Sequence, residues 1–112
     1  MKAMTRKTKA LRYLGGMSGH GFVTHNGEML AQADFDFDGY FNAGGGVTVC
    51  GEIHAPPKVL KRLFGRSDLQ LLTERGLVLN LSFLDSTLAP GSDVAHVDAT
   101  GQLPTALADW RH

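Results

Sequence analysis

Gly21-Phe22-Val23-Thr24-His25-Asn26-Gly27-Glu28-Met29-Leu30-Ala31 reads as a β-hairpin, and the rest of the chain can be placed around it. Asn26-Gly27 supplies the two positive φ angles of a type I′ turn, whose twist matches that of the strands it joins. The second strand is predicted to run from Glu28 to about Phe37, because Ala33-Asp34-Phe35-Asp36-Phe37-Asp38 alternates strictly. Phe35 and Phe37 then face one side of a sheet, and Asp34, Asp36 and Asp38 the other.

Beyond this hairpin, Asp38-Gly39 and Gly44-Gly45-Gly46 bracket a turn or flexible loop. Val47 to His54 alternates again, with Val47, Val49 and Ile53 on one face and Thr48, Cys50, Glu52 and His54 on the other. Pro56-Pro57 stops that strand. Pro57 then opens a short helix over Lys58 to Phe64, closed by Gly65. Leu69 to Thr73 and Leu77 to Leu84 are expected to form a second hairpin through Glu74-Arg75-Gly76. Leu77, Leu79, Leu81 and Phe83 alternate with less apolar residues, and Gly76 would cost a helix about 1 kcal/mol relative to alanine. Asp93 to Thr100 is predicted as the last strand, and Pro104 to Trp110 as a terminal helical turn. The glycine-rich stretch Gly15 to Gly21 reads as bends or bulges. The expected fold is mainly β: a small antiparallel β-barrel or strongly curled sheet of about six strands with one short helix. Closure hides edge strands and gives a short chain one core.

With 112 residues, the chain is long enough for one domain and too short for two. We expect a flexible basic tail over residues 1–10 and a single β-rich domain over 11–112. Eleven Lys and Arg balance eleven Asp and Glu, so nucleic acid is not the expected partner. A single cysteine excludes an internal disulfide, and no apolar run approaches the ~20 residues of a membrane helix. The sequence therefore predicts a cytoplasmic protein that does not engage membranes. The neutral total hides segregated blocks. Lys2, Arg6, Lys7, Lys9 and Arg12 are followed by an acidic stretch from Glu28 to Glu52, then by Lys58, Lys61, Arg62 and Arg66. Such blocks steer charged partners or pair subunits.

Strand parity yields one candidate metal surface. If residues 28–38 pair with 47–54, the Asp34/Asp36/Asp38 stripe lies beside Glu52 and His54, gathering oxygen and nitrogen ligands suited to a divalent ion. An enzyme using this surface would work by metal-assisted or acid–base chemistry. Asp34-x-Asp36-x-Asp38-Gly39 opens like a calcium-binding EF-hand loop, but its twelfth position is Gly45 and no long helix precedes it. Cys50 and His54 lie about 13 Å apart along a regular strand, too far for direct proton transfer.

A second candidate site rests on two fragments. Arg62-Leu63-Phe64-Gly65-Arg66 fits Arg-x-x-x-Arg, and Asn80-Leu81-Ser82 starts like Asn-x-Ser-x-x-Gly. Together they resemble the two halves of the cyclic-di-GMP motif in PilZ domains, which are small six-stranded barrels. The resemblance implies a nucleotide held by Arg62 and Arg66 and completed by Asn80 and Ser82. Asp85 stands where that motif has glycine, and an acid there repels phosphate. The sequence as a whole favours a domain that acts by binding a protein partner, a second copy of itself or a small ligand, with no cofactor and no catalysis. Val78 and Leu84 add apolar residues to the second face of their strand, as a subunit interface would require.

Overall fold

The computed structural model describes residues 11–44, 46–104 and 110–111. Its elements are β1 (Leu11–His25), β2 (Glu28–Asn42), β3 (Val47–His54), α1 (Pro57–Leu63), β4 (Leu69–Thr73), β5 (Val78–Phe83) and β6 (Val94–Gly101). The strands close into an antiparallel barrel in the order β1-β2-β3-β6-β5-β4. The expected architecture is thus observed, with the barrel closed rather than merely curled. The basic tail lies outside the described residues. Among the described residues, no helix is long and apolar enough to cross a membrane.

The turn between β1 and β2 is the one that Asn26-Gly27 dictates, with φ of 53° and 82°. Two register shifts then tune the pairing of these strands. Thr24 pairs with Met29 but Val23 with Ala31, which leaves Leu30 unpaired; Tyr13 pairs with Tyr40 but Gly15 with Gly39, which leaves Leu14 unpaired. Each shift moves the facing partners by one residue and adds local twist.

Two expectations need correction. Gly15 to Gly21 is not a run of bends but the interior of β1, paired along its length with Ala33 to Gly39. The loop does not open at Asp38-Gly39 either, since β2 continues through them to Asn42 and only the stretch before Val47 turns. In both places the small residues serve packing. Gly39 pairs with Gly15, and a Cβ at position 39 would meet the Trp110 ring at 2.6 Å. A Cβ on Gly15 would lie 2.7 Å from Trp110 Cβ. Gly39 therefore makes room for the indole and Gly15 for the Trp110 Cβ and the Arg111 backbone; the Trp110 side chain is buried and donates its Nε1–H to the Pro104 carbonyl at 3.0 Å. Arg111 and Gly16 exchange both backbone hydrogen bonds at 2.8 Å. Most of the predicted terminal turn, residues 105–109, lies outside the described residues. The described Arg111 forms a β-bridge with Gly16.

The helix solves a topological problem. β3 and β4 lie across the barrel from each other, so the chain between them must cross its mouth. Seven helical residues span about 10 Å. Leu60 and Leu63 point inward and are fully buried, while Lys58, Lys61 and Arg62 face water. The core they close contains Phe35, Phe37, Val49, Ile53, Leu71, Leu79, Leu81 and Val97. β4 and β5 form the predicted hairpin, pairing Leu69 with Leu81 and Leu72 with Val78.

Candidate functional site

Because residues of alternate parity face out, the register lays polar side chains in rows across the outside of the barrel. His20 of β1, Asp34 of β2 and His54 of β3 form one row. Ser18, Asp36, Glu52 and His96 form the next, and Asp38, Cys50, Asp98 and Ser82 a third. The stripe expected from sequence is therefore real, and β1 and β6 widen it with His20, His96 and Asp98.

Its members pair in small groups rather than around a common centre. His20 Nδ1 donates to Asp34 Oδ1 at 2.6 Å. His54 Nε2 donates to Glu52 Oε1 at 3.1 Å, and His96 Nε2 lies 3.4 Å from Glu52 Oε2. The other His96 ring nitrogen lies 3.2 Å from Asp85 Oδ2, which also accepts the His96 backbone N–H at 3.0 Å. Asp34, Asp36, Glu52 and His54 thus sit on one surface. Among the described residues, no three His, Cys, Asp or Glu side chains converge as a metal site requires.

The Asp85 carboxyl is held below its usual range by the backbone N–H of His96 and then by its ring. The Cys50 thiol is pushed up by burial and by the charges of Asp98 and Asp38, so at neutral pH it stays protonated.

The arginine set is dispersed. Arg62 lies in α1 and Arg66 just beyond it, both exposed. Asn80 and Ser82 point outward from β5, where Gln70 Nε2 donates to Asn80 Oδ1 at 3.0 Å and Ser82 pairs with Asp98. Among the described residues, no hydrogen bond joins these two residues to either arginine.

Two clefts cross the His20–Asp34–His54 row. One cleft of about 700 Å³ is lined by His20, Gly21, Phe22, Gln32, Ala33, Asp34, Leu72, Thr73 and Glu74. A second, of about 460 Å³, is lined by the same Gln32, Ala33 and Asp34 together with His54, Ala55, Pro56, Pro57 and Asp93. The two adjoin at β2 and make a trough running across four strands, from β4 to the end of β3. At ordinary strand spacing that is about 15 Å, the length of four or five extended residues. Its floor and walls are apolar at Phe22, Leu72, Ala55 and Pro56, and Val78 continues the outward row from Phe22 and Leu72. Its lining carboxylates are those of Asp34, Glu74 and Asp93, set beside the imidazoles of His20 and His54; neither cleft is lined by a lysine or arginine.

Glu74 is locked in place at the β4 end. Its Oε1 accepts the His20 backbone N–H at 2.9 Å, and its own N–H donates to the His20 carbonyl at 3.0 Å. Gly19 leaves room for that carboxylate, which a side chain there would displace. The His20 imidazole is raised above its ordinary value by its hydrogen bond to Asp34, then by the charges of Asp34 and Glu74. The folded state therefore holds the His20 proton more tightly than the unfolded chain. This stabilisation is complete below the unfolded value and is lost as pH rises through the folded one. An NMR titration should give His20 a midpoint above that of a free imidazole, and Asp34→Asn should lower it. An unchanged midpoint in Asp34→Asn would refute the assigned cause.

His20, Glu74 and Asp93 escaped the sequence reading. The hairpin alone places His20 opposite Ala33, and only the unpaired Leu30 moves it to Asp34. Glu74 reads as a turn residue. Asp93 belongs to the connection that precedes β6. No known protein family, curated protein or solved structure matches this chain.

Proposed function

We propose that this domain is a noncatalytic binding module whose trough takes an extended, basic segment of a partner protein. The observation that carries the reading is the lining of the two adjoining clefts. They adjoin across four strands and combine apolar Phe22, Leu72, Ala55 and Pro56 with Asp34, Glu74 and Asp93, without a lysine or arginine. An extended peptide matches this shape, since its alternate side chains meet an apolar floor and acidic walls. A role without covalent chemistry accords with the Cys50 thiol, which burial, and then the charges of Asp98 and Asp38, keep protonated.

A capped pentapeptide of alternating lysine and valine is the probe. It should bind saturably, and Asp34→Asn with Glu74→Gln should weaken binding about five- to tenfold, the scale of two exposed ion pairs. Both substitutions keep a hydrogen-bond acceptor for His20. Glu28→Gln with Asp68→Asn removes the same charge elsewhere and should change affinity less than about twofold. Equal weakening by the two pairs would reduce the effect to net charge and overturn the proposal, as would an absence of saturable binding.

A further inference from the structure

On the other flank of Pro57 lies a third cleft, of about 450 Å³, between α1 and the connection from β5 to β6. We infer that it binds a small anionic amphiphile, with an apolar body against Phe64, Leu88 and Pro90 and an anionic head at Lys58 and Lys61.

The apolar side is built and held. Phe64 packs on Phe83 with ring centroids 5.0 Å apart, and Leu88 packs against the core. The opposite wall is a β-turn over Ala89-Pro90-Gly91-Ser92. The Ser92 N–H donates to the Ala89 carbonyl at 3.0 Å, and Gly91 has the positive φ of 76° that follows proline in a type II turn. Ser92 Oγ donates to the Val94 carbonyl at 2.8 Å, tying the turn to β6. The cleft is therefore pre-formed, which lowers the entropy lost on binding.

The charge side fixes the ligand class. Lys58 and Lys61 are exposed at the rim, and among the described residues neither has a carboxylate within ion-pair distance. Arg62 and Arg66 follow on the same segment and deepen the positive field. The volume falls within the range of small-molecule sites, and unpaired ammonium groups beside an apolar wall select one negative head over a neutral or cationic one. The trough carries the reverse polarity, so the two sites take different ligands.

Decanoate is the probe, with decanol as the same body without charge and inorganic phosphate as charge without a body. Titration followed by NMR should show saturable decanoate binding at or below about 1 mM, with shifts at Leu88 and Phe64. Decanol should bind at least about fivefold more weakly, and phosphate should leave Leu88 unmoved. Lys58→Gln with Lys61→Gln removes two exposed cations without touching the core. It should weaken decanoate at least about fivefold and leave decanol unchanged. Equal affinity for decanoate and decanol would mean a merely apolar surface and overturn the inference. So would an absence of shifts at Leu88, or a response only to an acidic peptide.

Discussion

Replacing Trp110 with alanine should destabilise the domain by about 3–5 kcal/mol, the range for deleting a large buried aromatic side chain. Single domains have only about 5–15 kcal/mol in total, so this one change removes a large share. The indole is buried in the slot that Gly39 leaves open. A Cβ at position 39 would meet three ring carbons within about 3.0 Å. The change also leaves the Pro104 carbonyl without its indole donor. Urea unfolding followed by circular dichroism measures the loss. Gly39→Ala should be destabilising in the native background because the ring blocks it. It should cost much less in Trp110→Ala, where the slot is empty. That sign of coupling is specific to a shared slot. Additive effects, or a loss below about 1 kcal/mol in Trp110→Ala, would contradict the packing described here.

Gly51→Ala should cost about 3 kcal/mol or more, although it adds a single methyl group. Gly51 has the inward parity of Val49 and Ile53 and faces Phe37. A Cβ there would fall on the Asp36 carbonyl oxygen and lie 2.8 Å from Phe37 Cα. The obstacle is partner backbone, not a side chain that can rotate, so β2 and β3 would have to separate where Phe37 anchors the core. Overpacking against backbone belongs among the severe mechanisms of destabilisation. Gly44→Ala is the control, since a Cβ there has open space and its φ is not positive. It should stay within about 0.5 kcal/mol. A similarly mild effect at Gly51 would show that β2 and β3 separate without strain.

The sequence made the periodic elements legible. Asn26-Gly27, the Phe35/Phe37 alternation and the Val47–His54 parity each fix a face locally, so the stripe of Asp34, Asp36, Glu52 and His54 could be drawn before any coordinates. Glycines were misread because they carry no side chain and so show no alternation. Gly15, Gly19, Gly21 and Gly39 look like turn signals, yet within strands they make room for Trp110, Glu74 and Leu71. What fills that room lies far away in sequence. The same distance hid the trough. Its pieces come from β1, β2, β4 and the end of β3, and closure of β1 onto β4 brings them together. A single unpaired residue, Leu30, decides that His20 faces Asp34. Parity resolves faces but not such one-residue shifts.

The most direct test of the binding account is an amide NMR map of the domain titrated with the lysine–valine pentapeptide. The shifts should be concentrated at His20 to Phe22, Gln32 to Asp34, Leu72 to Glu74, His54 and Asp93, the residues lining the two adjoining clefts. Shifts confined to Asp36, Asp38 and Asp98, with the trough unmoved, would mean that the peptide only senses the acidic face and that the trough is not the site.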